Sequence, residues 1–342
     1  MASHRRGVAY DDLVQKVSTP IPDGELERQI EQHRKELTGY CYRMLASPFE
    51  AEDAVQETLL RAWRAMDSFE GRAALRSWLY RIATNVCFDM LNGRNRRALP
   101  MDLGSAQAPV AENLNTLPEV TWIEPIADGS VSSPDDPAEM AVERETIKLA
   151  FVAALQHLPA LQRAALILCE VLRFKASEAA ELLDTSVASV NSALQRARAT
   201  IEASGATATE TAGTVDDSQR ELLARYVQAF EAYDLDALTS LIAEDAKQSM
   251  PPYDMWLQGR ADILTWWFGP GIACQGSRLL PAPSTNGTVA FGQYKPSETG
   301  SGHDPWALQV LDIGDSGVAE FTFFLDTERL FPLFGLPPRL EG

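Results

Sequence analysis

Residues 51–63 read AEDAVQETLLRAW, and the spacing of their apolar side chains decides the fold of the first third of the chain. Ala51, Ala54, Val55, Thr58, Leu59, Ala62 and Met66 recur at helical spacing and define the inward face of an amphipathic helix. The opposite face carries Asp53, Gln56, Glu57, Leu60 and Arg64. Leu60 stands inside that polar stripe, where an apolar side chain has nothing in its own domain to bury against. Single exposed leucines are common. One ringed by carboxylates and an arginine also has the make-up of a protein–protein contact centre.

Residues 69–85, FEGRAALRSWLYRIATN, continue the pattern. A loop over 67–73 precedes a predicted helix from about Leu75 to Leu91. Its inward positions are Leu75, Leu79, Ile82, Ala83, Val86 and Met90. Arg76, Trp78, Tyr80, Arg81, Thr84, Asn85 and Asp89 fall on its other faces, and it runs into a basic knot, Arg94–Arg97. Arginines hold phosphates, aromatic rings receive unstacked bases and an amide reads a base edge, so such a helix suits opened DNA. The competing reading of Trp78 is plain core.

A second helical block, LPALQRAALILCEVLRFKASEAAELLDTSVASVNSALQRARA (158–199), contains a helix-turn-helix pattern. Ser177 is placed to cap a short helix, Glu178 to Leu183. Leu183 to Ser186 makes the turn, with Asp184 where a left-handed residue is needed. Ser186 caps the second helix. Val190, Leu194, Ala197 and Ile201 form its buried stripe. Ser189, Asn191, Ser192, Gln195, Arg196 and Arg198 are left for solvent or for a DNA groove. A plain helical hairpin would show the same periodicity.

The 342-residue chain has room for two or three domains, and no apolar run is long enough to span a bilayer. The N-terminus lacks a secretory signal, so a cytoplasmic protein with no membrane association is expected. The four cysteines are scattered without a CxxC pair, which argues against a metal site and against a disulfide framework. No cofactor is expected. The net charge of -18 at first opposes nucleic-acid binding. By count, however, residues 28–97 carry 12 basic against 9 acidic side chains, while residues 98–146 carry 1 against 10. Residues 204–342 carry 8 against 19. The acidity therefore lies between and after the helical blocks. A protein that grips DNA only as part of a larger basic machine need not itself be basic.

These shifts divide the chain into a flexible arm (1–27), a helical domain (28–97), an acidic linker (98–137), a second helical domain (138–203), a polar low-complexity linker (204–217) and a C-terminal domain of mixed character (218–342). Within the first linker, LPEVTWIEPI (117–126) is too apolar for a purely solvated tether.

The stretches 51–63 and 69–85, followed in order by 158–199, resemble the sigma-2 and sigma-4 domains of extracytoplasmic-function (ECF) sigma factors of the sigma-70 family. The resemblance covers roughly 110 residues. It implies that Asp53, Gln56, Glu57, Leu60 and Arg64 bind the clamp of core RNA polymerase, with sigma-4 reaching the flap. It implies that the loop Phe69–Ala73, with Arg72, captures a flipped base of the promoter -10 element. Arg76, Trp78, Arg81 and Asn85 would melt and hold that element. The helix after Ser186 would read the -35 element, and the acidic linker would thread towards the polymerase active-site channel.

Residues 218–342 resemble the SnoaL-like domain of the NTF2-like superfamily, an α+β cone. The carrying stretches are LLARYVQAFEAYDLDALTSLIAEDA (222–246), GRADILTWW (259–267), FGQY (291–294) and PWALQVLDI (305–313). The expected fold is thus multidomain: two all-α domains, one a helix-turn-helix, plus an α+β NTF2-like cone. In tailed sigma factors the resemblance implies an intramolecular contact between this domain and the sigma core that tunes activity.

Two other readings compete. A stand-alone helix-turn-helix regulator would not need the 51–66 contact helix. A cyclase or isomerase in the cone would need an acid–base pair pointing inward. Asp245, Tyr253, Asp254, His303 and Asp304 are the polar candidates, with His303 read as a loop residue before a strand. Trp256, Trp266 and Trp267 could line a pocket or fill a core. No constellation among them demands chemistry, so no catalytic residue is assigned and a non-enzymatic regulator is expected.

Overall fold

The computed structural model describes residues 23–66, 69, 74–131, 142, 144–203 and 217–341. The low-complexity stretch 204–216, linker residues 132–137 and Arg72 lie outside the described residues. Helix α1 (Asp23–Gln32) begins inside what the sequence suggested was a loose arm. Helix α2 (Arg34–Leu45) ends where Ala46 turns left-handed, at φ 59°. Helix α3 (Pro48–Arg64) starts at once: Ser47 Oγ accepts the Glu50 amide at 3.3 Å and Pro48 fills the first helical position, where a missing N–H costs nothing. Helix α4 (Leu75–Leu91) completes the first block.

The second block holds α5 (Leu149–Gln156), α6 (Ala160–Leu166), α7 (Ala176–Leu182) and α8 (Val187–Ala203). A π-helical turn, Ile167–Val171, extends α6. The C-terminal domain begins with α9 (Asp217–Ala232) and α10 (Leu235–Leu241). Strands β1 (Ile242–Ser249) and β2 (Trp256–Gln258) follow, then α11 (Arg260–Phe268). Strands β3 (Arg278–Pro281), β4 (Val289–Pro296), β5 (His303–Gly314) and β6 (Gly317–Phe324) complete the sheet, and α12 (Thr327–Leu333) closes the chain. The sheet order is β2-β1-β6-β5-β4-β3, with β1 and β6 parallel and the other pairs antiparallel. This is the expected mixed architecture of helical domains plus an α+β unit.

Alternation along the strands gives the sheet two apolar faces. Phe291, Leu311, Phe321 and Phe323 join Tyr226 and Phe230 of α9 and Trp266 and Trp267 of α11 in one core. Ala290, Leu308, Val310 and Phe324 point the other way. They belong to a second core that also takes in α2, α3, α4, the linker residues Ile123 and Ile126, and the second helical block. A sheet with both faces apolar cannot stand alone in water, and here one face is covered by its own helices and the other by the rest of the chain.

Candidate functional site

On α3 the inward residues Ala51, Ala54, Val55, Thr58 and Ala62 are buried, while Asp53, Gln56 and Arg64 are exposed and Glu57 is half-buried. Leu60 is 40% exposed and Trp63, one position beyond Ala62, is 57% exposed. Trp63 was not singled out from the sequence. Its signal was present, since a tryptophan off the inward stripe of α3 falls on the outer face of the helix. Two large apolar side chains thus sit in open view among carboxylates. Arg61 between them is held by Glu57 at 2.7 Å and by Asp89 of α4 at 3.3 Å.

On α4, Arg81 and Asn85 are exposed. Phe69 packs on Trp78 with ring centroids 4.9 Å apart. Arg76 is already engaged. It pairs with Glu36 of α2 at 2.9 Å and lies over the rings of Tyr80 (5.2 Å) and Phe174 (4.6 Å). The hydrogen bond from His33, seconded by Arg76, holds the Glu36 carboxyl down to about 2 against the opposing effect of burial.

Tyr80 and Thr84 depart from the sequence reading, which gave them an outer face. Both are fully buried. Thr84 and Tyr40 hydroxyls meet at 2.7 Å, and Phe174, in the loop ahead of α7, packs edge-on against Tyr80 at 5.4 Å. The reason is tertiary: α2 packs on this side of α4 through Tyr40, and Phe174 ahead of α7 adds a further cover over Tyr80.

The basic knot is likewise consumed within the chain. Arg97 is buried, donates to the Trp122 carbonyl at 2.6 Å and pairs with Glu50 (3.1 Å) and Glu124 (3.5 Å). Arg94 pairs with Glu50 at 2.5 Å, and Arg96 meets His157 Nε2 at 2.9 Å.

The helix-turn-helix has the expected turn: Asp184 adopts φ 49°, and Ser186 Oγ accepts the Ser189 amide at 3.1 Å. The preceding helix starts earlier than the sequence suggested. Glu178 reaches back to the Lys175 amide at 2.7 Å, so Ser177 lies inside α7 rather than at its cap. A carboxylate three residues into a helix satisfies the first amide better than a serine two residues past the cap. On α8, Val190, Ala193, Leu194 and Ala197 are buried. Asn191, Gln195, Arg196 and Arg198 are exposed, and Ser189 and Ser192 are half-buried. Arg196 donates to Ser192 Oγ at 2.8 Å, and Arg198 pairs with Glu170 at 2.5 Å.

The blocks are joined by buried polar contacts at the C-terminal end of α2. Arg163 of α6 is buried and donates to the Met44 carbonyl, to Gln156 Oε1 (2.7 Å) and to the Leu158 carbonyl (3.1 Å). Burial pulls its pKa down to about 10. Tyr42 donates to the Glu124 carbonyl at 2.8 Å and accepts from Asn286 Nδ2 at 2.7 Å. Asn286 and Gly287 form the β3–β4 turn, with φ 49° and 73°. An Asn-Gly pair between two strands is a strong hairpin signal that the sequence reading did not use. At this tip, Asn286 also bonds the Ile147 carbonyl (2.6 Å) and the Ile126 amide (3.0 Å). A Cβ on Gly287 would stand 2.6 Å from the Arg144 carbonyl oxygen, so only glycine fits.

Inside the C-terminal core a closed chain of hydrogen bonds runs from Tyr226 to Gln309 (2.9 Å), Gln293 (2.9 Å) and Ser277 (3.0 Å). Trp267 donates to Gln248 at 2.6 Å. The cavity beside them holds about 30 Å³, room for about one water. The polar residues considered for an enzyme are dispersed. Asp245 is exposed on β1, Asp254 lies in the β1–β2 loop, and His303 begins β5, bonded to the Gly276 carbonyl at 3.1 Å rather than sitting in a loop. Asp304 follows it and pairs with Arg339 at 3.5 Å. Trp266 and Trp267 are core, and Trp256 donates to the Gly104 carbonyl of the linker at 2.9 Å.

A four-helix block that presents an exposed apolar pair, linked to a helix-turn-helix block, is the architecture of a sigma-type transcription initiation factor. Comparison with known proteins places the chain further. Residues 29–97 match the Sigma-70 region 2 family and residues 148–201 match Sigma-70, region 4. The chain is 44% identical over 319 residues to the ECF RNA polymerase sigma factor SigG of Mycobacterium tuberculosis, covering 93% of this chain and 85% of that one. It is 29% identical over 171 residues to the RNA polymerase sigma-H factor of Pseudomonas aeruginosa, covering 50% and 81%. The crystal structure of the Mycobacterium tuberculosis ECF sigma factor SigJ superposes with a TM-score of 0.58 at 20% identity, covering 91% of this chain and 99% of that chain. The chain belongs to the ECF sigma factors of the sigma-70 family, and it is an alternative sigma factor for transcription initiation.

Proposed function

We propose that this sigma factor engages the clamp of core RNA polymerase through α3 and promoter DNA through α4 and α8, and that its C-terminal domain holds it in a closed form until activated. The observation that carries the first part is the exposure of Leu60 among Asp53, Gln56, Glu57 and Arg64. A desolvated apolar centre inside a polar rim is where binding energy concentrates at interfaces. Phe69, Arg72, Arg76, Trp78, Arg81 and Asn85 open and hold the -10 element. Ser189, Asn191, Ser192, Gln195, Arg196 and Arg198 face the -35 element, the early residues reaching base edges and the arginines phosphates. The protein acts in the cytoplasm, where polymerase works.

The second part follows from distance. Elements at -10 and -35 lie about 25 base pairs apart, roughly 80 Å of B-DNA at about 3.4 Å per pair. With Phe174 packed on Tyr80 and Arg76, α7 lies against α4, and we infer that the two readers sit too close to span that interval. Promoter use therefore requires the α4–α7 contact to open. The Asn286 turn bridges Tyr42, Ile126 and Ile147, so the C-terminal domain ties the first block, the linker and the second block together. The domains act as units with boundaries at 28–97, 98–137, 138–203 and 218–342.

Run-off transcription with core polymerase on a promoter library tests the proposal, using the full chain and a chain ending near Ser204. Promoter-specific transcripts are expected, stronger with the shortened chain. No transcript from either, with both folded, would defeat the first part. Equal output from both would defeat the second.

A further inference from the structure

A cavity of about 500 Å³ lies outside the C-terminal core, between linker residues 116–124 and the C-terminal domain. That volume is in the range of small-molecule sites. Trp122, Tyr253 and Trp306 give it aromatic walls, and every charged side chain that lines it is a carboxylate: Glu119, Glu124 and Asp326. Glu124 is buried, 6% exposed, and its Oε2 receives no hydrogen bond, with Arg97 Nη1 3.5 Å away. Trp306 already serves a cation on its ring, since Lys295 Nζ stands 3.7 Å from the centroid.

These features select one ligand chemistry. Three carboxylates, bridged by the single guanidinium of Arg329, leave a site that disfavours anions. Apolar walls disfavour strongly hydrated inorganic cations. A neutral hydrophobe would fill the space but offer no donor to the carboxylates that line it. A hydrophobic ammonium meets both demands, because aromatic rings attract organic cations and its N–H groups donate to carboxylates.

We propose that this cavity binds a small hydrophobic amine in its ammonium form, with its apolar body against Trp122, Tyr253 and Trp306 and its N–H groups on Glu124 and Glu119. The proposal deepens the regulatory reading above and rests on it. The same carboxylates hold Arg329 of α12, which bonds Glu119, Glu124 (3.4 Å) and Asp326 (3.3 Å) and lies over the Phe49 ring of α3 at 3.8 Å. An ammonium on Glu119 and Glu124 competes with Arg329 and so loosens the grip of the C-terminal domain on the first block.

Calorimetric titration of the full chain at neutral pH, without polymerase, tests binding with three probes: 2-phenylethylamine, 2-phenylethanol and phenylacetate. Saturable one-to-one binding of the amine is expected, roughly tenfold tighter than the alcohol, as one charge-assisted hydrogen bond implies, with no binding of phenylacetate. Glu119→Gln and Trp306→Ala, both at partly exposed positions, should each weaken the amine severalfold while the free chains keep the circular dichroism spectrum of the parent. Equal affinity for amine and alcohol, no saturation in the millimolar range, or amine affinity untouched by both variants would overturn the proposal. Run-off transcription separates this outcome from the regulatory reading. A shortened chain that outperforms the full chain without amine supports that reading whatever the titration gives. Amine that binds but fails to raise full-chain output overturns the competition with Arg329.

Discussion

The side-chain amide of Asn286 donates to the Tyr42 phenol oxygen at 2.7 Å, across 244 residues of sequence. Both side chains are buried, and the Tyr42 hydroxyl donates a hydrogen bond to the Glu124 carbonyl. Burial drives the Tyr42 pKa far above its ordinary value, so the hydroxyl stays protonated at every physiological pH. One hydrogen-bond relay therefore joins the C-terminal turn, α2 and the linker, and a buried relay of this kind is costly to leave half made.

Asn286→Asp keeps the left-handed turn but replaces the donor to Tyr42 and Ile147 with an acceptor. It should lower stability by about 2–4 kcal/mol, the cost of orphaned buried polar groups. Hydrogen exchange should speed up at linker residues 122–131 and in the 284–288 turn together. Faster exchange in the turn alone would show that the relay is local.

Leu60→Asp should abolish co-purification with core polymerase and leave the unfolding free energy within about 0.5 kcal/mol of the parent, as expected of an exposed position. Co-purification at the parent level would refute α3 as the contact face.

Phe174→Ala removes the ring that packs on Tyr80 and Arg76. The loss should be about 3 kcal/mol at the α4–α7 contact, and run-off output from the full chain should rise. Output that falls in step with stability would argue against a closed, inactive form. In contrast, Gln195→Ala with Arg196→Ala should weaken -35 use far more than polymerase binding, and an equal loss of both would count against α8 as the reader.

Glu320 of β6 pairs across the sheet with Asp312 of β5, and both line a small cavity with Lys148 of the second block. Burial, with the charges of Asp312 and Asp102 and against that of Lys247, pushes the Glu320 pKa up to about 7. The sign follows from linkage. Below the unfolded value, near 4.5, both states hold the proton and the site is neutral. Between there and about 7 the unfolded chain ionises first, so stability is lost as pH rises. Glu320→Gln should thus change little at pH values below that window and stabilise by about 1–3 kcal/mol above it. A melting-temperature difference that does not grow with pH would contradict the assignment.

Much of this was legible in the sequence. The inward stripe of α3 follows from helical periodicity alone, because an amphipathic helix has one face to bury wherever it docks. Asp184 marked its turn because few residues accept a left-handed backbone. The polar stripe around Leu60 was visible for the same reason. Tyr80 and Thr84 were misread because periodicity reports one apolar face per helix, and α4 packs against α2, α3, α6 and α7. The partners of the basic knot were not legible, because charge says nothing about which carboxylate will meet it, and Glu50 and Glu124 arrive from α3 and from the linker.

The sequence by itself determined the helices, the helix-turn-helix, the α+β character of the tail and the family, since these rest on local spacing and on long ordered motifs. Only the tertiary structure decided that the tail's outer sheet face packs into the same core as α2 to α4, that an Asn-Gly turn closes on Tyr42, and that the linker walls a cavity lined by carboxylates. Those contacts join residues far apart in the chain, where no periodicity records which faces will meet.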